Sequence, residues 1–441
     1  MGALNRREFA CLLAGWMAAK PLGALIGRSG VYQGDIRVDG RRLSGTLEAL
    51  GRIGRNPATG GINRLAFSEA DLEARSYVAG LMREAGLDVA VDYAGNLVGR
   101  RSGREAGALP IVFGSHIDSV PEGGNYDGPV GALAAVEVAR VLAERRIETR
   151  HPIEVIVFSN EEGGKTGSRA LIGEVGAGEL SLPTASGKTI GEGIAFVGGD
   201  PHRLDQVRRE PGSIAAFLEL HVEQGAVLER RGVEIGVVEG IVGIKRWNVA
   251  VEGFANHAGT TPMDARQDAL VAAARFIDVA HRVARETPGR QVATVGRITA
   301  EPGAPNVIPG RVRFTLEIRD LEMSKIDRIF ALLEAEADRI GRETGTDFAF
   351  EQFYVSYAAL TDERLRRVIE EAASALGLSH MRLPSGAGHD AQSMAKLGPV
   401  GMIFVPSRSG ISHSPREFTA LGDVVNGANV LLRTVLAVDA L

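Results

Sequence analysis

Short apolar runs alternate with stretches of helical period through the first half of the chain. The runs LPIVFGS (109 to 115), IEVIVFS (153 to 159) and AAFLELH (215 to 221) are nearly continuous, the pattern of strands buried on both faces. Between the first two lies PVGALAAVEVARVLAERR (129 to 146), which the spacing predicts as a helix with Pro129 in its first turn. Strand, helix and strand in that order predict βαβ units, hence a largely parallel sheet covered by helices. Near residue 243 the pattern changes. GIKRWNVAVEG reads as a strand, 265 to 286 as a helix, RQVATVGRITA and RVRFTLEIRD as two strands, 324 to 342 as a helix and TDFAFEQFYV as a last strand. This β-α-β-β-α-β order is the ferredoxin-like arrangement, and at about a hundred residues it makes a complete α+β domain. Afterwards the βα character returns, with a helix at 361 to 376, the loop PSGAGHDA, a helix to about Leu397, the strand VGMIFVP and the loop SRSGISHSP. The expectation is an α/β fold in which residues 31–242 and 356–441 build one domain around a mostly parallel central sheet, with residues 243–355 inserted as a second domain.

Composition narrows the function without naming it. A chain of 441 residues exceeds one ordinary core, and 44% hydrophobic with 24% charged residues is the balance of a globular protein. The net charge of -5 and the lack of a basic run exclude a nucleic-acid surface. Cys11, the single cysteine, lies near the N-terminus, so the body of the chain has neither disulfides nor thiolate ligands, and any metal must be held by nitrogen and oxygen. The opening NRREFACLLAGWMAAKPLGALIG pairs Arg6 and Arg7 ahead of an apolar run that Lys20 and Pro21 interrupt. It is too short and broken for a membrane span, so no stable insertion of the mature chain is expected. Its Arg-Arg-x-Phe start resembles a twin-arginine signal, which predicts export of a folded protein to the periplasm; a leader on a cytoplasmic protein is the alternative. Residues 1–30 are therefore set apart from the fold.

The chemically active residues follow the apolar runs. His116 comes after the first, Glu161 and Glu162 after the second, His221 after the third, and His413 after VGMIFVP, while His257 sits in a loop near Gly259. In open α/β sheets, sites gather outside the carboxyl ends of the strands, so these groups point to one crevice. The stretch SHIDSVPEGGNYDG crowds His116, Asp118, Glu122 and Asp127 into a dozen residues. A single histidine in such a place is commonly a structural hydrogen-bonder; acids converging on the same edge argue for a site. Adjacent carboxylates such as Glu161 and Glu162 repel unless a cation or proton separates their roles. Side chains alternate along an extended chain, so one can bind metal while the other faces a metal-bound water.

The motifs GSHIDSVPEGGNYDG, NEEGG, LELHVEQG, ANHAGTTPM, PNVIP, EIRD, SGAGHDA and GISHSP, in this order from about residue 40 to the C-terminus, resemble the M20 metallopeptidase-like amidohydrolases. Within them the resemblance is to the branch of N-carbamoyl-L-amino acid hydrolases, beta-ureidopropionases and allantoate amidohydrolases. It implies that His116, Asp127 and His221 ligate one metal and that Asp127, Glu162 and His413 ligate a second, with Asp127 as the bridge. Two divalent ions per subunit follow, and a thiol-free donor set suits Zn²⁺, Mn²⁺ or Co²⁺. Asp118 would orient the His116 imidazole, and Glu161 would act as general base and acid. By the same resemblance the inserted domain is a lid and dimerisation domain, and His257 serves as oxyanion donor in the neighbouring subunit of a homodimer. The substrate is a small molecule carrying a carboxylate beside a ureido or amide group. Arg319 matches the carboxylate clamp, Gln224 and Asn306 match polar contacts, Gly386 and Gly388 allow close backbone approach, and His389 is either donor or support. Glu122 matches no ligand position and reads as a loop acid. One departure stands out: carbamoylases read about EEG-x-R-F with several more residues before GSRA, whereas EEGGKTGSRA is shorter and lacks the Arg-Phe pair. The implied activity is hydrolysis of the N-carbamoyl group of L-amino acids or related acids, releasing ammonia and CO2. Alternatives are an allantoate amidohydrolase and an M20 aminoacylase or peptidase. A relative reduced to a binding module would be expected to lose the base or a ligand, and here every such position is filled.

Overall fold

The structure is a computed structural model that describes residues 36–441; the leader with Arg6, Arg7 and Cys11, and the export signal read from it, lie outside the described residues. In chain order the first part contributes α1 (Gly40–Leu50), α2 (Glu69–Glu84), β1 (Asp88–Val91), β2 (Leu97–Arg101), β3 (Ile111–His116), α3 (Pro129–Glu144), β4 (Ile153–Phe158), α4 (Thr166–Leu171), α5 (Ile190–Phe196), β5 (Ala216–Val222), α6 (Val227–Arg231) and β6 (Ile235–Ile241). Next come β7 (Gly243–Glu252), β8 (Asn256–His257), α7 (Ala269–Glu286), β9 (Val292–Glu301), β10 (Val307–Ile308), β11 (Arg311–Asp320), α8 (Met323–Thr344) and β12 (Asp347–Ser356). The chain finishes with β13 (Ala359–Leu360), α9 (Glu363–Ala375), β14 (His380–Ser385), α10 (Asp390–Met394), β15 (Val400–Val405) and α11 (Leu421–Asp439).

Nine strands make the large sheet, in the order β1-β2-β4-β3-β5-β15-β6-β13, with β14 also on β6. Its middle is parallel: β4 with β3, β3 with β5, and β5 with β15. Every residue of β3, β4, β5 and β15 is buried, which is why these strands read as unbroken apolar runs rather than alternating ones. Pro129 opens α3 with φ already set, and the helix is buried on nearly all sides because it lies against β3, β5, α1, α2 and α11. Helix α11 has the length and apolarity to cross a membrane, but its apolar residues are mostly buried against α3, α9 and the sheet.

The second sheet has the order β12-β7-β11-β9, all antiparallel. With α7 and α8 packed on one face, this is the ferredoxin-like connectivity expected of the pattern after residue 243. Trp247 stacks on Phe330 with ring centroids 4.1 Å apart, joining β7 to α8 in that core. Two expectations change. The helix drawn to Leu397 is confined to Asp390–Met394, since the chain turns through Gly398 into β15. Pro384 and Ser385, assigned to a loop, end the partly buried strand β14, whose alternating polar residues hid it.

The connection from β3 to α3 is held from outside. Arg64 is fully buried and spends its guanidinium on backbone carbonyls, with Nε donating to Ile117 at 2.5 Å and Nη1 to Leu50 and Ile53 at 3.1 and 3.2 Å. Burial lowers its pKa to about 10, so it remains charged at neutral pH. Glu122, the loop acid, accepts from Asn56 at 2.9 Å, Asn63 at 2.6 Å and the Thr59 hydroxyl, while its own amide donates to Asn63 at 3.0 Å. Those donors hold its carboxyl below the usual range. It is thus a bystander to the site chemistry and a staple for the 56–63 loop. Replacing Glu122 with Ala is expected to lower Tm by several degrees, measured by calorimetry, while bound metal per chain is unchanged; loss of metal would instead give Glu122 a part in the site.

Candidate metal centre

The parallel strands β4, β3, β5 and β15 end along one edge, and each delivers a polar side chain to it. His116 is the last residue of β3, and His221 lies one residue from the end of β5. Glu161 and Glu162 follow β4 in a turn that leads through Lys165 into α4. His413 follows β15 with φ 53°, and Gln224 follows β5 with φ 56°, left-handed conformations that point both side chains back over the edge.

Asp127 is the meeting point. Its Oδ1 lies 3.1 Å from His221 Nε2 and 3.6 Å from His116 Nε2, and its Oδ2 lies 3.4 Å from His413 Nε2. Glu162 Oε1 is also 3.4 Å from His413 Nε2. Two groups of possible ligand atoms result, His116 with Asp127 and His221, and Asp127 with Glu162 and His413, sharing one carboxylate. A third, Glu219 with His221 and His389, overlaps through His221. Glu219 is already committed, accepting from Ser115 Oγ at 2.8 Å and from the Ala391 amide at 3.2 Å. The Asp127 groups, by contrast, open onto a cavity of about 350 Å³.

Two features fit a metal rather than a hydrogen-bonded cluster. His221 Nε2 is buried and makes no hydrogen bond of good geometry, although Asp127 Oδ1 lies 3.1 Å away. The distal nitrogens are already occupied: His221 Nδ1 lies 2.9 Å from the Val222 carbonyl and His116 Nδ1 3.1 Å from the Asp118 carbonyl. Protonated there, each ring presents the Nε2 lone pair inward. Gly128, with φ 79°, makes the close approach possible, since a Cβ there would lie 2.4 Å from the His116 ring. The set of imidazoles and carboxylates suits a borderline divalent cation.

Asp118 does more than orient His116. Its carboxylate is 3.5 Å from His116 Nδ1, and it also accepts from the amides of Glu161 at 3.3 Å and Glu162 at 3.1 Å. One buried side chain therefore ties the β3 loop to the two glutamates. Glu161 Oε2 lies 3.8 Å from His116 Nε2. Burial, then the charges of Glu162 and Asp118, pushes Glu161 up to about 8; burial and Asp127 push Glu162 up to about 7. Burial opposes charge on the imidazoles, but Asp127 outweighs it and His221 sits at about 9; the Asp127 hydrogen bond likewise raises His413 to about 9. Protons thus occupy the cluster where a cation would otherwise balance it.

Among the other expected residues, Gln224, Arg319, Gly388 and His389 line the cavity. Gln224 Nε2 donates to Asp127 Oδ2 at 2.6 Å. Arg319, on β11, donates to Glu317 and to the Gly386 carbonyl, both at 2.6 Å, so Gly386 takes part through its backbone. His389 is buried against Ser385 Oγ at 2.8 Å, and burial with the nearby His221 drives its pKa well down, leaving it neutral. His257 and Asn306 do not line it; they lie in the small β8–β10 ribbon, exposed. Sequence reading missed Ser412 and Glu417. Ser412 Oγ is 2.6 Å from Asp127 Oδ2 and 2.8 Å from Glu417 Oε2, and Glu417 accepts from the Asp127 amide at 2.9 Å. One hydroxyl proton thus faces two carboxylates, and burial followed by the Asp127 charge raises the Glu417 pKa. No periodic signal marks Glu417; Glu219, which the sequence reading also passed over, did offer one, as an acid inside an apolar run.

Comparison with known proteins matches residues 112–437 to "Peptidase family M20/M25/M40". An N-carbamoyl-L-amino acid amidohydrolase of Geobacillus stearothermophilus is 42% identical over 90% of this chain and 98% of its own. An allantoate amidohydrolase of Bacillus subtilis is 36% identical over 87% and 94%. Among solved structures, an amidase of the hydantoinase/carbamoylase family from Burkholderia multivorans superposes with a TM-score of 0.86 at 38% identity, covering 92% of this chain and all of that one.

Because a cation must displace protons from groups that titrate between about 7 and 9, apparent metal affinity should fall as pH falls. Lowering pH from 8 to 6 is expected to weaken Zn²⁺ binding by about a hundredfold or more, at least one proton per ion, read by titration against a competing chelator. An affinity that does not change over that range would rule out these ligands.

Proposed function

Because the chain belongs to peptidase family M20/M25/M40, we propose that it is a metal-dependent amidohydrolase that removes the N-carbamoyl (ureido) group of an L-amino acid or related acid, releasing ammonia and CO2. The observation that carries this reading is the convergence of three imidazole nitrogens on the Asp127 carboxylate with Glu161 beside them, in a cavity that also holds Arg319. The name of the Geobacillus relative and its near full-length match support the choice of substrate class. His116, Asp127 and His221 would hold one divalent ion and Asp127, Glu162 and His413 a second. Bound there, the ions would polarise the carbonyl and make water acidic enough to attack at neutral pH.

The chain's own residues do the rest. Glu161 takes a proton from the attacking water as its oxygen bonds to the ureido carbon. The carbon–nitrogen bond to the amino acid then breaks, and Glu161 returns the proton to the departing amine. The carbamic acid left behind decomposes to ammonia and CO2. Two bound cations would pull the Glu161 pKa below about 8, towards the basic form needed for the first step. Arg319 offers a planar fork to the substrate carboxylate once it releases the Gly386 carbonyl. A role for His257 as oxyanion donor in a second subunit's cavity, and with it a dimer through the inserted domain, is supported by its tautomer. Its Nδ1 accepts from the Gly259 and Thr260 amides at 3.0 and 3.1 Å, leaving Nε2–H to donate outward. Allantoate is the second candidate substrate, on the strength of the Bacillus relative; a product screen following ammonia and free amine separates the two.

Replacing Glu161 with Gln should keep the metal, measured by elemental analysis, and lower kcat about a thousandfold. Metal-loaded protein with near-normal turnover would remove Glu161 from this role. Replacing Arg319 with Ala should raise KM for N-carbamoyl amino acids about tenfold or more with little change in kcat, and an unchanged KM would refute the clamp.

A further inference from the structure

One lysine and two arginines line the cavity: Lys165, Arg246 and Arg319. Two of them are compensated, because Arg246 Nε and Arg319 Nε each donate to Glu317 at 2.6 Å. Lys165 differs. It is half-buried, and among the described residues no carboxylate lies at ion-pair distance from it, although its charge reaches Glu161. Its Nζ donates to the neutral Oε1 of Gln392 at 2.5 Å. The head group is also placed and not merely tethered. Lys165 sits just ahead of α4 in the left-handed conformation, φ 59° and ψ 39°, with its amide donating to the Glu161 carbonyl at 2.8 Å. Gln392 is fixed in turn by bonds to Ser356 Oγ at 3.1 Å and the Tyr357 carbonyl at 2.5 Å. Gly388 passes close by, so that a Cβ there would lie 3.2 Å from Nζ. Arg319 holds the same loop two residues earlier, at Gly386. The cavity therefore has two separate cationic positions, one at Gly386 and one at Gly388 of the same loop. The lysine belongs to the EEGGKTGSRA segment that carries Glu161 and Glu162.

A half-buried ammonium with no carboxylate at ion-pair distance has given up part of its hydration and recovers it when an anion arrives. The geometry points to Lys165 as the seat for a second carboxylate, so that the substrate is the N-carbamoyl derivative of an acidic amino acid, held by its α-carboxylate at Arg319 and its side-chain carboxylate at Lys165. This rests on the ureido reading given above. A compact ammonium beside a side-chain amide suits a carboxylate, and the cavity, at about 350 Å³, is of small-ligand size.

The test compares N-carbamoyl-L-aspartate with N-carbamoyl-L-asparagine, which differ by one charge at nearly equal volume. Binding is read by titration calorimetry on metal-loaded protein carrying Glu161→Gln, and turnover is followed separately on the unaltered protein. The acid should bind at least about tenfold more tightly than the amide, the size of one charged hydrogen bond. Lys165→Met should bring that ratio close to one, and Lys165→Arg should keep it. Equal binding of acid and amide to the parent protein overturns the proposal, and so does a ratio that Lys165→Met leaves intact, which would confine Lys165 to shaping the loop or tuning Glu161. Failure of the acid to bind overturns it as well. Preferential binding of the acid without release of ammonia from any ureido substrate would instead overturn the ureido reading and leave the second anion seat standing.

Discussion

A single buried carboxylate has to satisfy three imidazoles at once, and much of the fold around the site is arranged so that Asp127 can do so. The four central parallel strands deliver Glu162, His116, His221 and His413 from the ends of β4, β3, β5 and β15, neighbours in the sheet. Had any of these strands run the other way, its ligand would lie at the opposite edge. Asp127 reaches the same point from the β3–α3 connection because Gly128 brings the backbone against the His116 ring, closer than any side chain at that position allows. Beyond it, Gln224 and Ser412 each place a donor 2.6 Å from Oδ2, and the Asp127 amide is held by Glu417.

The electrostatics follow from the same arrangement. Asp127, Glu161, Glu162 and Asp118 are acids packed at the edge of a low-dielectric core; among the described residues no lysine or arginine forms an ion pair with them, although Lys165 acts on Glu161, and Arg64 and Arg75 on Asp118, at longer range. Such a group is stable when protons or cations share its charge, and the raised values of Glu161, Glu162, His221 and His413 express that demand. Asp118 adds rigidity without joining the cluster, accepting from the two successive amides that carry the glutamates.

Strands β3, β4, β5 and β15 were legible because burial on both faces leaves little room for polar residues, and the ferredoxin-like order was legible because its elements are long and strongly periodic. The α/β architecture and the family follow from motifs that sit where those strands end. Residues that work by mutual contact were not legible. Glu417, Ser412 and Arg64 occupy stretches without a repeating pattern, and their importance arises from partners up to 290 positions away. Strand β14 was hidden for a related reason: Arg382 faces outward to Glu363 and Glu370, which breaks the apolar run. His257 shows a third limit: a motif singles it out, yet it is exposed in the β8–β10 ribbon and does not line the cavity.

The order of the strands has a consequence in time. β15 lies between β5 and β6, yet it is made only after the whole 243–355 segment has left the ribosome, and His413 and α11 come later still. Until then β5 and β6 are not neighbours, the sheet has a gap at its centre, and the second ligand group lacks one of its three members. The 243–355 segment, with its own sheet and core, can fold during that wait, whereas the flanking halves stay open to one another. The carboxylate–imidazole cluster is therefore completed late in the life of each new chain, and a ribosome that stops short of residue 400 leaves a product without His413 or the strand ahead of it.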